Sequence, residues 1–154
     1  IIERHIMIKL DELFEMWKKD CQIDENNLDG ATIQNAKLHS KYLEIHSMTK
    51  LQLKRKELEF KVLLKDKWLW YNGKMSQEEI TAKGWSYDPL NGLKILKGEM
   101  DYYYDSDKEI QDAQAKIEYL KEMVDTTKEI IDTIKWRHQS IKNMIEWRKF
   151  TSGV

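Results

Sequence analysis

The residues most able to do chemistry in this sequence are the basic side chains between positions 50 and 67. Seven lysine or arginine residues lie there against three acidic ones, which gives a local charge of +4. If the segment is helical, several of these lysines share one stripe with the indole of Trp68. Cationic groups can follow phosphates, and an aromatic ring can stack on any base. The predicted site for a single nucleic-acid strand consists of Lys54, Arg55, Lys61, Lys65, Lys67 and Trp68.

Charge along the rest of the chain is separated into blocks. The formal net charge is only −1, but residues 99–129 carry a net −6 and residues 135–149 a net +4. A whole-chain charge argument for a nucleic-acid partner therefore fails, and the local concentration of lysines has to support it. The same lysines are compatible with an ordinary solvated helix face, and Trp68 with ordinary packing, so these alternatives stay open.

Motifs for enzyme chemistry are missing from the sequence. There is no GxxxxGK[ST] loop for nucleotide hydrolysis, and no Ser/His/Asp or Cys/His pattern stands out. A stretch beginning at Glu25 mimics a calcium loop, but its twelfth position is Ala36, where a bidentate Glu is needed. His39 and His46 have no third ligand spaced to join them in a zinc site. We therefore expect no enzymatic activity, no metal and no cofactor.

The compartment is indicated by cysteine usage and hydropathy. Cys21 is the only cysteine, so an internal disulfide is excluded, and this agrees with a reducing compartment. No run of about 18 apolar residues occurs, so we expect no transmembrane helix. The expected location is the cytoplasm.

The elements that must position the basic residues are predicted to be helices. One proline and six glycines in 154 residues leave room for long uninterrupted helices. Apolar residues recur at spacings of three and four between Lys9 and Lys19, which predicts a short amphipathic helix. A second helical run follows the polar residues 24–30 and is expected to end at Asn72 and Gly73.

Residues 74–98 break the helical pattern. They contain the only proline, Pro89, together with several glycines, so this segment is predicted to be an excursion from the helices. Within it, Ser76 and Glu79 form a capping box for a short helix that stops at Gly84.

The strongest pattern in the chain begins at Ile110, just after a second capping box formed by Ser106 and Glu109. From there to Ile145, apolar or small residues alternate at spacings of three and four, which is the heptad pattern of paired helices. A helix to Arg148 would span about 58 Å at about 1.5 Å per residue, longer than a small domain needs. Part of this stripe must therefore find a partner.

Two partners are compatible with the heptad stripe. Its first half can pack against the helical run 31–71 of the same chain or against a second copy, and both alternatives stay open. For the second half we predict self-association, because Ile130, Trp136, Met144 and Trp147 widen the apolar surface beyond a two-helix seam. The predicted self-association residues are Val124, Ile131, Ile134, His138, Ile141 and Ile145.

The predicted fold class is all-α, an elongated helical domain whose long C-terminal helix drives homo-oligomerisation. Residues 1–105 are expected to form an N-terminal helical DNA-binding region that includes the excursion 74–98. Residues 106–154 are expected to form the C-terminal oligomerisation helix.

Four segments resemble recombination mediators of the UvsY type, a phage protein family. They are KVLLKDKWLWYNG at 61–73, KLDELFEMWKKDCQID at 9–24, SKYLEIHS at 40–47 and DTIKWRHQSIKNMIEWRKF at 132–150. They follow the family's order and spacing over most of the chain, and only residues 74–105 match poorly. The lysine and arginine of the family's Lys-Ala-Arg-Leu motif correspond to Lys65 and Lys67. Lys67 lacks the bidentate fork of an arginine, and Asp66 adds a carboxylate where the family has alanine.

The resemblance implies an all-helical recombination mediator that binds single-stranded DNA. Such a protein promotes loading of the phage recombinase onto DNA covered by the phage single-stranded-DNA-binding protein, in the cytoplasm of the infected host cell. It also implies a ring-like homo-oligomer, expected to be a heptamer, in which repeated basic patches gain effective concentration. The alternative is a coiled-coil scaffold or adaptor that binds only protein partners, for which the heptad stripe would suffice.

Overall fold

The computed structural model describes residues 8–153, and all regular secondary structure within that range is helical. The helices are α1 (Leu10–Asp20), α2 (Leu28–Tyr71), α3 (Gln77–Lys83), α4 (Met100–Ser106) and α5 (Lys108–Thr151). Helices α2 and α5 each contain 44 residues. The predicted all-α class, with a long C-terminal helix, is confirmed.

Helix α1 forms where the spacing of apolar residues predicted it. Its first turn carries Asp11 and Glu12 and its last turn carries Lys18 and Lys19, so the charges at both ends interact favourably with the helix dipole. Leu13 lies on its inner face and is fully buried.

A side-chain cap sets the start of helix α2, and a glycine sets its end. The Asn27 side chain accepts a hydrogen bond from the Gly30 amide at 3.0 Å, and a β-carbon at Gly30 would approach that side chain to 2.3 Å. At the other end Gly73 has a φ of 68°, and the Lys74 amide donates to the Leu69 carbonyl. This is a Schellman termination, as Asn72 and Gly73 predicted.

The excursion contains the short helix α3. The Ser76 hydroxyl accepts from the Glu79 amide at its start, and Gly84 ends it with a φ of 72°.

The predicted start of α5 is wrong by one residue. Asp107, not Ser106, accepts from the Ile110 amide, while the Ser106 hydroxyl donates back to the Tyr102 carbonyl.

The helices build two compact units, and α2 and α5 contribute to both. The first contains residues up to Gln52 and those from Leu120 onward, and the second runs from Leu53 to Tyr119. The boundary of the second unit differs from the functional division predicted at residue 105, which stays a prediction. The core of the first unit consists of Leu13, Leu38, Tyr42, Met123, Ile130, Ile131 and Ile134.

Three isoleucines in the second half of the heptad stripe are covered within the single chain. Ile131 and Ile134 belong to the core of the first unit, and Ile141 is equally buried. The prediction that these side chains pack against a second copy therefore needs correction, because α1 and α2 already cover the inner face of α5. Ile130, which was expected to widen an exposed surface, is also part of this core.

Candidate nucleic-acid interface

The predicted DNA-binding residues lie in the second unit, on the last turns of α2. Five of the six are exposed, at helical spacings of three and four that place them along one side of the helix. Two exposed apolar residues, Leu58 and Val62, lie among them. We call this surface the outer face of α2. It consists of Lys54, Arg55, Leu58, Lys61, Val62, Lys65 and Trp68.

The four cations of the outer face differ in their ion pairing within the protein. Arg55 pairs with Glu59 at 3.3 Å, and Lys65 pairs with Asp66 at 3.2 Å. Among the described residues, Lys54 and Lys61 form no ion pair. The exposed Arg55–Glu59 pair contributes about 0 to 1 kcal/mol, so a phosphate can replace Glu59 at little cost.

Asp66, the carboxylate that stands where the family has alanine, is paired with a second lysine. Lys83 of α3 pairs with it at 3.0 Å, opposite the contact from Lys65. Partial burial opposes ionisation of this carboxyl, but hydrogen bonds from Lys83 and Lys65 outweigh it and lower the pKa of Asp66. The carboxylate is thus neutralised locally by two ammonium groups.

Trp68 is the exposed aromatic residue of the outer face. Its side chain keeps 40% of its surface accessible, and the Lys74 ammonium lies 4.7 Å from the centre of its ring. The ammonium covers one face of the ring, so a base has to stack on the opposite face while Lys74 stays close enough to contact a phosphate. Lys74 was not predicted from the sequence, because this lysine follows the end of α2, where helical spacing no longer locates a side chain.

Lys67 has a different environment from the other predicted residues. It is 3% exposed, and its ammonium pairs with Asp107 at 3.1 Å and with Glu109 at 3.4 Å. The same nitrogen lies 4.0 Å from the ring centre of Trp85 and 4.5 Å from that of Trp70. The structure therefore does not present Lys67 to a phosphate arriving from solvent, which corrects its expected position beside Lys65.

The two carboxylates that pair with Lys67 also accept hydrogen bonds from aromatic side chains. The Trp85 indole nitrogen donates to Glu109 at 2.6 Å, and the Tyr71 hydroxyl donates to Asp107 at 2.6 Å. Burial opposes ionisation of Asp107, yet hydrogen bonds from Tyr71, from the Ile110 amide and from Lys67 lower its pKa. The group consisting of Lys67, Trp70, Tyr71, Trp85, Asp107 and Glu109 is called the Lys67 cluster below.

The predicted self-association residues differ in their solvent exposure. His138 is exposed, Val124 and Ile145 are half-buried, and the three remaining isoleucines are buried in the first unit. The large exposed apolar side chains on this part of α5 are instead Trp136, Trp147 and Phe150. Trp147 and Phe150 stack with their ring centres 5.9 Å apart.

Within the described range, no group of three or more His, Cys, Asp or Glu side chains is arranged to hold a metal ion. None of the helices between residues 8 and 153 combines the length and hydropathy needed to cross a membrane.

An all-helical chain with a cationic helix face that presents an indole has the features of a helical nucleic-acid-binding protein. The model of a family described as recombination, repair and ssDNA binding protein UvsY matches residues 16–154. The chain therefore belongs to the UvsY family of recombination, repair and single-stranded-DNA-binding proteins. This confirms the resemblance and the function that the sequence predicted.

Relatives from one phage agree in sequence and in structure. The recombination protein uvsY of Enterobacteria phage T4 is 29% identical over 146 residues, which cover 95% of this chain and 99% of the relative. Crystal structures of the bacteriophage T4 recombination mediator protein UvsY superpose with TM-scores of 0.81 and 0.79, both at 28% identity. These superpositions cover 94% and 91% of this chain, and 98% of the T4 chain in each case.

Proposed function

We propose that the outer face of α2 binds single-stranded DNA without sequence preference. Four cations, Lys54, Arg55, Lys61 and Lys65, contact successive phosphates, and Trp68 stacks on a base. Lys74 adds a further cation beside the ring. The observation that supports this most is the exposure of these side chains along one helix face in a chain of a single-stranded-DNA-binding family.

The exposed apolar side chains fit the same assignment. Leu58 and Val62 are more than half exposed between the lysines. Bases of an unpaired strand have apolar faces that duplex DNA keeps stacked inside, so apolar groups between cations favour a single strand over a duplex. No base-specific hydrogen bonding is required of this surface.

The mechanism is physical, not covalent, and no enzymatic step is assigned to the chain. We propose that the protein holds the strand on repeated basic faces and promotes loading of the phage recombinase. It does so on DNA covered by the phage single-stranded-DNA-binding protein, in the cytoplasm of the infected host cell. The T4 relative is a recombination mediator protein, which supports this assignment.

We propose that the chain assembles into a ring-like homo-oligomer, with a heptamer as the expected form. The exposed Trp136, Trp147 and Phe150 on the last turns of α5 support an interface there, because large exposed apolar groups are unfavourable in water. Of the residues predicted from the heptad pattern, Val124, His138 and Ile145 retain accessible surface for such contacts. Linked copies of the outer face raise affinity without new contacts.

The salt dependence of oligonucleotide binding tests the DNA assignment. The triple variant Lys54→Ala, Lys61→Ala, Lys65→Ala should bind a labelled single strand more weakly. Its slope of log affinity against log salt concentration should fall by about 2, since each lost phosphate contact removes about 0.7. The matched control is Lys18→Ala, Lys19→Ala, Lys37→Ala, which removes the same charge from exposed positions in the first unit. Equal slopes for both triple variants would contradict the outer face as the binding surface, and a wild-type chain that binds no oligonucleotide would support a scaffold that binds only protein.

A further inference from the structure

The Lys67 ammonium is the shared partner of side chains from three parts of the second unit. Trp70 belongs to α2, Trp85 follows α3, and Asp107 and Glu109 stand at the start of α5. A buried ammonium is costly unless it is paired, and here two carboxylates and two aromatic faces surround it. Its removal would leave the buried carboxylate of Asp107 without its cation.

The cluster holds the residues that follow α2 against that helix. Trp70 donates from its indole nitrogen to the Ser86 carbonyl at 2.8 Å, and its ring packs 5.1 Å from the ring of Trp85. Met75 and Ile80 complete a small apolar core with Trp70. These contacts fix residues 74–86 on the last turns of α2.

Two cations near the outer face depend on this fixed segment. Lys74 lies over Trp68, and Lys83 pairs with Asp66 beside Lys65. If the segment came away from α2, the ring of Trp68 would lose its cation, and Asp66 would lose the partner that neutralises it. The buried cluster is thus physically coupled to the geometry of the exposed one.

We propose that Lys67 is a positioning residue for single-strand binding, which docks residues 74–86 and the start of α5 on α2 and does not contact DNA. The inference rests on the proposed function, because it concerns the same binding surface. It divides the basic motif in two, so that Lys65 binds phosphate while Lys67 maintains the surface that presents it.

The test asks whether neutralising Asp107 and Glu109 restores the oligonucleotide affinity that a variant of Lys67 has lost. Lys67→Met should weaken oligonucleotide binding by about tenfold, the size of one lost base stack. Adding Asp107→Asn and Glu109→Gln to that variant should restore binding toward the wild-type level, because no unpaired charge is left in the cluster. Asparagine at 107 can still cap α5, so the triple variant should keep its fold.

A direct phosphate contact predicts the reverse pattern. In that case the triple variant would bind as weakly as Lys67→Met, although its unfolding temperature had recovered, and the inference would be overturned. Glu109→Gln alone provides a second test, because the substitution is conservative and the Glu109 side chain is half-exposed. It should give no gain in affinity if Lys67 is a positioning residue, whereas freeing a phosphate-binding lysine would strengthen binding. Failure of the wild-type chain to bind any oligonucleotide would instead overturn the proposed function.

Discussion

Lys65 and Lys67 are separated by one residue, yet their side chains are 65% and 3% exposed. Two residues along an α-helix correspond to a rotation of about 200°, so neighbouring lysines of this kind face opposite sides. Lys65 lies on the outer face of α2, and Lys67 lies inside the second unit between two carboxylates. The basic motif therefore supplies both a surface contact and an interior one.

Replacing Trp68 tests whether the exposed indole stacks on DNA. Trp68→Ala should cost about 1 to 3 kcal/mol of binding free energy, since one stacked base is lost. The salt slope should change little, because the indole carries no charge. Fluorescence anisotropy with a labelled strand at several salt concentrations measures both quantities. Tyr102→Ala, an exposed aromatic residue elsewhere in the second unit, is the control and should bind as the wild type does.

The lowered pKa of Asp107 predicts a loss of stability in acid. A carboxyl whose pKa is lower in the folded chain than in the unfolded chain binds fewer protons when folded. Its contribution is therefore complete above pH of about 4, the unfolded value, and disappears as the pH falls through the folded value. Urea unfolding between pH 2.5 and 7 should show this decline. Asp107→Asn should be less stable at pH 7 and should lose less stability on acidification.

His46 predicts a second dependence on pH, near neutrality. Its Nδ1 lies 2.8 Å from the hydroxyl oxygen of the fully buried Thr127. Burial, together with the charges of Lys50 and Lys128, lowers the pKa of His46. The unfolded chain therefore binds more protons just below pH of about 6.5, and stability should decrease as the pH falls from there.

The measurement for His46 is the urea midpoint between pH 5 and 7.5. His46→Gln should flatten the dependence in this range, because glutamine does not titrate. His39→Gln is the matched control on the same helix. A wild-type midpoint that rose on acidification from pH 6.5 would contradict the assignment.

The exposed aromatic residues of α5 and its buried isoleucines should respond differently to substitution. Trp136→Ser, Trp147→Ser, Phe150→Ser should lower the sedimentation coefficient while the unfolding free energy stays nearly constant. Ile134→Ala should cost about 2 to 5 kcal/mol of stability, because it leaves a cavity in the core of the first unit. Tyr87→Ser, Leu93→Ser, Leu96→Ser, exposed in the second unit, is the control for sedimentation. Unchanged assembly of the α5 triple variant would place the interface elsewhere.

Periodicity and capping residues were enough to predict α1, α2, α3 and α5, because helix formation depends on local spacing, capping residues and glycine. Helix α4 was not predicted. The ends of α2 at Asn27 and Gly73 follow from such local chemistry. The start of α5 was misplaced because Ser106 and Asp107 are both good caps, and only the structure shows that the cap is Asp107, which accepts from the Ile110 amide.

The partners of each helix face could not be predicted in the same way. A heptad stripe shows that Ile131 and Ile134 are covered, but not whether α1, α2 or a second copy covers them. Similarly, helical spacing separates Lys67 from Lys65, yet nothing local indicates that Asp107 and Glu109, some 40 residues later, provide its charges. Contacts between residues distant in sequence decided both points.

Amine footprinting with and without a bound oligonucleotide is the most direct test of the DNA surface. The acylation rate of each lysine, measured by mass spectrometry, reports which ammonium groups the strand covers. We expect the strand to protect Lys54, Lys61 and Lys65, and to leave Lys18, Lys19 and Lys37 as reactive as before. Saturating occupancy without selective protection of the lysines on the outer face of α2 would contradict it.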